Sequence, residues 1–147
     1  MSLKSAYPVP DPLGIPHETY IRWLRRKAQA HLRRDRKRVE YPITGQDYRE
    51  RIHAAVCDHG THDYYTGEKL DWSKVSTYDN EKSAQGRSGY KAGFADLPTV
   101  DHVGSKDGRF DFVICGWRVN AVKNDLSHDE FLEVCRKVIA KADTDRV

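Results

Sequence analysis

The stretch PTVDHVGSKDGRFDFVICGWRVNAVKNDL, residues 98–126, decides the fold. Thr99–Val103 and Phe110–Cys115 show the side-chain alternation of two short strands. Residues 104–109 between them contain two glycines, which predicts a turn and therefore a hairpin. A short helix is predicted from Gly116 to Asn124, with Val119 and Val122 buried. The residues predicted to share one face of the second strand are Phe110, Phe112 and Ile114.

Three longer helices are predicted around this stretch. The first runs over His17–Lys37, where apolar residues recur at spacings of three and four. The second covers Gln46–Asp58, with Thr44 as its N-cap and Asp47 three residues on. The third opens with the capping box Ser127-His-Asp-Glu130 and continues to Ala142. The apolar stripe predicted for this last helix consists of Phe131, Cys135, Val138 and Ile139.

The rest of the chain is predicted to be less regular. Residues 61–75 alternate apolar and polar side chains around Thr66-Gly67, which indicates a turn followed by a short strand. Residues 76–97 are polar and rich in glycine and serine, so a long loop is predicted there. The expected fold class is α+β. We expect two parts, a proline-containing lead-in with a basic helix over residues 1–43 and a domain over residues 44–147.

The predicted strand–turn–strand–helix carries an Asp-His pair at its first strand and Asn-x-x-Lys on its helix. In this it resembles the HNH endonucleases, the ββα-metal or His-Me finger nucleases. The resemblance covers about residues 63–126, and its specific part is residues 99–125. It implies a ββα-metal module flanked by N-terminal and C-terminal helices, and it implies a metal-dependent DNA endonuclease that hydrolyses phosphodiester bonds.

The resemblance assigns chemical roles to four residues. A neutral imidazole takes a proton from water near pH 7, which suits His102 as the general base. Asp101 and Asn120 correspond to the ligands of one divalent cation, and their oxygen atoms suit Mg²⁺ or Mn²⁺. Asp111 stands where the family usually has Asn. It either orients His102, joins the metal ligands or marks a weakened enzyme.

Lys123 lies one helical turn beyond Asn120. It either contacts a phosphate, pairs with an acid or is a solvated helix lysine. The family's paired zinc-binding cysteines are absent, since Asp63, Thr66, Gly116 and Val119 occupy their positions. No structural zinc is therefore expected. Cysteine spacing supports this expectation, because the three cysteines are widely separated and form no C-x-x-C pair.

Positive charge is concentrated in one segment. His17–Arg38 carries a net charge of +7, whereas the whole chain carries +3. A polyanion is the natural partner of such a segment, and duplex DNA is the expected one. The residues predicted to contact nucleic acid are Lys123, Arg22, Arg25, Arg26, Lys27, Arg33 and Arg34.

Two other functions fit the same sequence. The chain is alternatively a non-catalytic nucleic-acid-binding protein on a degenerate HNH fold, or an RNA-binding basic protein. The sequence has no apolar run near the roughly 20 residues that a membrane span requires, and its first residues do not resemble a secretion signal. A soluble cytoplasmic protein without a membrane partner is therefore expected.

Overall fold

The computed structural model describes residues 6–37, 44–103 and 111–146, except for the side chains of residues 86–88. Within these ranges the protein is α+β, with five α-helices, two short 3-10 helices and one two-stranded sheet. The helices are α1 (His17–Asp35), α2 (Gly45–His59), α3 (Asn80–Ala92), α4 (Trp117–Lys123) and α5 (His128–Asp145), and the strands are β1 (Pro98–His102) and β2 (Phe112–Gly116). The 3-10 helices are Asp11–Leu13 and Trp72–Lys74.

β1 and β2 pair antiparallel, as predicted, and α4 follows β2 directly. The register places Pro98 opposite Gly116 and His102 opposite Phe112. α4 packs against both strands. The turn predicted over residues 104–109 and the predicted position of Phe110 lie outside the described residues.

The core is built where α1, α2 and the hairpin meet. α1 packs on α2, and α2 packs on β2. At the centre, the ring centroids of Trp23 and Trp72 are 4.7 Å apart in an edge-on contact, which suits the charge distribution of aromatic rings. Both indole nitrogens donate to backbone carbonyls, of Pro98 and Gly60 respectively. The predicted division at residue 43 stays a prediction, but this core joins side chains from both predicted parts.

Two predicted helix starts are confirmed in detail. Thr44 and Asp47 form a reciprocal capping box at α2, and Ser127 and Glu130 form another at α5. Each box gives two backbone N–H groups of the first turn a side-chain acceptor. α1 ends at Asp35, two residues before the predicted end.

The loop predicted over residues 76–97 is wrong, because most of it is the helix α3. The Asp79 carboxylate caps this helix by accepting from the backbone N–H groups of Glu81 and Lys82. Tyr78, Tyr90 and Phe94 pack their rings together, with centroids 5.0 to 5.4 Å apart. This aromatic contact spans both ends of the helix and outweighs the low helix propensity of its two glycines.

Two smaller predictions are also corrected. The short strand expected within residues 61–75 is a single bridge between His62 and Lys69, followed by the 3-10 helix at Trp72. Val122, predicted to be buried on α4, is 64% exposed, and Lys123 next to it is buried instead. In the described part of the chain, no helix combines the length and the apolar character that crossing a membrane requires.

Candidate functional site

α1 lies alongside β1 and reaches its end. Four side chains at four-residue intervals, on one face of the helix, contact four of the five residues of the strand. These contacts are Trp23 with Pro98 at 3.2 Å, Lys27 with Thr99 at 3.0 Å, His31 with Val100 at 3.1 Å and Asp35 with His102 at 3.9 Å. The last turn of the basic helix therefore ends at the predicted general base.

His102 is the last residue of β1, and its side chain is 30% exposed. Its Nε2 atom faces the Asp35 carboxylate, and its ring packs edge-on against Phe112 with centroids 5.5 Å apart. Asp35 is itself held by Tyr48, whose hydroxyl donates to it at 2.5 Å. In a neutral imidazole, a proton on Nε2 facing Asp35 leaves Nδ1 as the acceptor nitrogen. The contact with Asp35 can therefore leave Nδ1 of His102 available to accept a proton.

Sequence reasoning missed Asp35 as a member of this site and counted it only as a charge opposing the arginines. A signal was present, because Lys27, His31 and Asp35 continue the four-residue spacing of the buried Trp23. Polar residues repeated on the packed face of a helix need partners. His31 pairs with the Val100 carbonyl. Burial of the ring, as the largest cause, and then the charge of Arg34 lower the pKa of His31 to about 4.

Asp111 is exposed and lies just before β2. Its backbone carbonyl accepts from Val103 N–H at 2.9 Å, so Asp111 stands opposite Val103, whereas Phe112 stands opposite His102. Side chains alternate faces along a strand, and a regular continuation of the pairing directs the Asp111 and His102 side chains to opposite faces. The carboxylate beside the His102 ring is thus that of Asp35.

Asp101 is buried on the other side of β1 from His102. Its Oδ2 atom accepts from the hydroxyl of Tyr65 and lies 3.0 Å from Lys123 Nζ, and its Oδ1 atom accepts from His102 N–H at 2.9 Å. Burial, followed by the hydrogen bond to Asp101, raises the pKa of Tyr65 above its usual value. Sequence reasoning did not single out Tyr65. Asp101 thus faces α4 while its neighbour His102 faces α1.

Lys123 is 2% exposed and also donates to the Leu126 carbonyl at 2.6 Å. Of the three alternatives open for it, the structure shows pairing with an acid. Asn120 lies three residues earlier, on the same side of α4, and is half-buried. Among the described residues, nothing forms a hydrogen bond with its side-chain amide, so its oxygen is an available acceptor.

The oxygen atoms of Asp101 and Asn120 can be compared with the ligands that a hard divalent cation requires. A carboxylate has about four acceptor positions, and three donors use those of Asp101, so one position is left. The chemistry of one carboxylate and one amide oxygen fits Mg²⁺ or Mn²⁺ completed by water and phosphate. In the described ranges, no three His, Cys, Asp or Glu side chains form a metal-binding group. A cation bound here would share Asp101 with the Lys123 ammonium.

Asp63 holds the start of α4 in place. Its carboxylate accepts from the backbone N–H groups of Tyr65 at 2.7 Å, Thr66 at 2.9 Å and Gly116 at 2.6 Å. Gly116 must be glycine, because a Cβ atom there would lie 2.7 Å from the Ala95 carbonyl oxygen. These hydrogen bonds join two segments at the positions where the resembled family has paired cysteines.

The basic side chains of α1 divide into two groups. Arg22, Arg25, Arg26, Arg33 and Arg34 are exposed, and none of them forms an ion pair with a carboxylate of the described residues. Lys27 is partly buried and donates to Thr99. Its burial, followed by the charges of Arg26 and Arg34, lowers its pKa to about 8. Within the described residues the exposed arginines have no carboxylate partner and can bind an anion, whereas Lys27 supports the contact between α1 and β1.

Three of these arginines border an open groove. Its lining includes Trp23, Pro98, Arg22, Arg25, Arg26 and Lys74. We call these six residues the basic groove. It lies beside the first residues of β1, whereas His102 lies at the other end of the strand.

Comparison of this chain with protein-family models, with curated proteins and with solved structures finds no match. The resemblance to HNH endonucleases, whose specific part is residues 99–125, therefore stays a prediction from the sequence.

Proposed function

We propose that this protein is a metal-dependent DNA endonuclease of the HNH type. The observation that carries the proposal is the His102 side chain, partly exposed at the end of β1, with one ring nitrogen facing Asp35. An imidazole anchored in this way is suited to activating water. His102 lies at the end of α1, the helix that bears the exposed arginines. A phosphate backbone bound along this helix therefore extends towards His102.

The proposed reaction is attack of water on a backbone phosphorus atom. His102 Nδ1 takes a proton from the water, the new P–O bond forms, the P–O3′ bond breaks and the departing O3′ takes a proton from solvent. Asp35 stabilises the positive charge that the ring acquires, since it lies 3.9 Å from Nε2. Asp101 and Asn120 would hold the divalent cation, which supplies charge neutralisation of the phosphate and of the departing oxygen.

The arginines of α1 are proposed to hold the DNA backbone. The helix rises about 1.5 Å per residue, so Arg22 and Asp35 are roughly 20 Å apart along it. That length spans several phosphates of a duplex. Contacts of this kind fix the position of the DNA without reading its sequence.

Cleavage is expected to depend on a divalent cation. Supercoiled plasmid incubated with the purified protein should be nicked in Mg²⁺ or Mn²⁺, and excess EDTA should abolish nicking until the cation is restored. Asp101→Asn should lower this activity, because it removes the one charged ligand. Cleavage that continues undiminished in EDTA would contradict the metal requirement.

A second candidate function is a non-catalytic nucleic-acid-binding protein. The observation in its favour is the Lys123 ammonium on Asp101, since it already neutralises the carboxylate that a metal would need. The plasmid assay separates the two candidates. If DNA is bound but not nicked in any of the cations tested, the binding function is correct and the nuclease proposal fails.

The exposed arginines are expected to make DNA binding sensitive to salt. Replacing Arg22, Arg25 and Arg33 together with Gln should weaken duplex binding and reduce the slope of log Kd against log salt by about 2–3, at ~0.9 per lost phosphate contact. The measurement is fluorescence anisotropy of a labelled duplex over a salt series.

The matched control removes three charges elsewhere. Lys69, Lys82 and Lys91 are exposed and outside the basic groove. Their joint replacement with Gln should leave the slope nearly unchanged. Equal slopes for the two triple variants would contradict the role of α1. Competition with a structured RNA belongs to the same series, and a preference for RNA at every salt concentration would overturn the DNA assignment.

A further inference from the structure

α5 is an amphipathic helix of 18 residues, and none of its described residues is buried. Its first turn is attached to the rest of the protein, since the His128 ring stacks on Tyr65 with centroids 5.7 Å apart and Phe131 meets the same ring edge-on at 6.0 Å. Beyond that turn, Val138 is 63% and Ile139 59% exposed. The predicted apolar stripe is therefore present, but its second half has no intramolecular partner among the described residues.

The apolar surface continues from α5 into a neighbouring groove. The groove combines side chains from the turn after α2, from α4 and from α5 itself. Its apolar lining consists of Tyr64, Tyr65, Val119, Val122, Phe131 and Leu132. We call this groove together with the exposed stripe the α5 face. Contiguous apolar surface of this kind is typical of a protein–protein contact.

The spacing of apolar residues along α5 indicates another helix as the partner of this face. Phe131, Cys135, Val138 and Ala142 follow one another at intervals of four, three and four residues. This is the repeat of a coiled-coil seam, in which two helices pack side by side.

The apolar spacing of α5 is complementary to itself in the reverse direction. When a second α5 is laid antiparallel about a point between Arg136 and Lys137, Phe131 falls beside Ala142 of the second copy. The same operation brings Cys135 beside Val138 of the second copy. Both contacts occur twice by symmetry, and antiparallel helix dipoles attract.

We propose that the α5 face binds a second copy of this chain, forming an antiparallel α5–α5 homodimer with twofold symmetry. The C-terminal half of each α5 covers the apolar groove of the other chain. The proposal is independent of the nuclease function, because it uses neither the arginines of α1 nor the residues around His102.

The test compares the molecular mass of variants in solution. Wild-type protein at micromolar concentrations should show twice the 16.9 kDa of one chain by light scattering during gel filtration. Val138→Glu should show the mass of one chain, because it places a charge in the apolar seam. Ala140→Glu is the matched control, since it adds the same charge on the opposite side of α5, and it should remain dimeric.

A crosslinking measurement tests whether α5 lies at the interface. Cys57 is exposed, Cys115 is buried and Cys135 is partly exposed on the α5 face. In a Cys57→Ser background, a short bis-maleimide should link two chains through Cys135, and added Val138→Glu should abolish the product. A wild type with the mass of one chain at every concentration, or equal masses for the two glutamate variants, would overturn the proposal. A dimer that is not crosslinked would overturn the placement of α5 at the interface.

Discussion

His102→Ala is expected to reduce the rate of plasmid nicking by about 10²- to 10⁴-fold, the range that a positioned general base contributes. The imidazole is the described group at the end of β1 that can accept a proton from water near neutral pH. Alanine leaves the water without that acceptor, while the contacts of α1 with Pro98, Thr99 and Val100 remain. DNA affinity in the anisotropy assay should therefore change little.

The control for this variant is a histidine that the site does not use. His62 is exposed, and within the described residues its side chain hydrogen-bonds with its neighbour Thr61. His62→Ala should nick plasmid at nearly the wild-type rate. Thermal unfolding of both variants should be measured, so that lost activity is not mistaken for lost structure. A His102→Ala protein that is folded and nicks at the wild-type rate would remove the proposed base.

Asp35→Asn extends the same experiment to the positioning residue. The amide retains an oxygen for the Tyr48 hydroxyl but loses the charge facing His102. We expect kcat to fall by roughly 10- to 100-fold with KM nearly unchanged, since a misplaced catalytic group costs rate and not binding. Asp111→Asn should have a smaller effect, because its register directs that side chain away from the ring.

Local patterns in the sequence were sufficient to predict much of the framework. The alternation in Thr99–Val103 identified β1, and the reciprocal pairs Thr44–Asp47 and Ser127–Glu130 identified two helix starts. Each of these signals lies within a few residues, because capping and strand alternation are local properties. Helix α3 was not predicted, because the aromatic contacts that stabilise it join residues 78, 90 and 94, which lie up to 16 positions apart within the polar stretch.

The partners within the site could not be predicted, because they depend on long-range packing. Asp35 reaches His102 only when α1 lies along β1, and the two residues are 67 positions apart. Tyr65 meets Asp101 across 36 positions. A lysine on a short helix is usually solvated, and only the closure of α4 onto β1 makes Lys123 the buried partner of a carboxylate.

Asp101 and His102 point to opposite faces of β1, which separates the proposed cation ligand from the proposed general base. Asp101 belongs to the side of β1 that packs on α4, where it is neutralised by Lys123. His102 belongs to the side that packs on α1, where it is anchored by Asp35. The end of the strand is the place where two neighbouring side chains on opposite faces can approach one substrate, since the sheet no longer separates them. The proposed nuclease activity therefore depends on the contact of Asp101 with α4 and on the contact of His102 with α1.

Lys123→Met is expected to destabilise the protein by about 3–5 kcal/mol, the usual cost of leaving one partner of a buried ion pair alone. Asp101 is 7% exposed, so water replaces the lost ammonium only poorly. Methionine retains most of the volume of the lysine stem, which separates the loss of charge from the loss of packing. Urea unfolding followed by tryptophan fluorescence provides the measurement.

The matched control is Lys137→Met, which removes a lysine from the exposed pair with Glu133 at 3.7 Å. Exposed pairs contribute about 0–1 kcal/mol, so this variant should unfold close to wild type. Adding Asp101→Asn to Lys123→Met should restore part of the lost stability, because the neutral amide needs no counter-charge. Equal losses for the two methionine variants would contradict the buried pair.

The same variant also tests whether Asp101 is a cation ligand. Without the ammonium, the carboxylate is free to bind Mg²⁺ or Mn²⁺, and a ligand that binds only the folded state stabilises it. Millimolar Mn²⁺ should therefore raise the unfolding midpoint of Lys123→Met more than that of wild type. The Asp101→Asn double variant should lose this difference. If Mn²⁺ shifts all three proteins equally, the cation binds elsewhere, and Asp101 serves only as the partner of Lys123 and Tyr65.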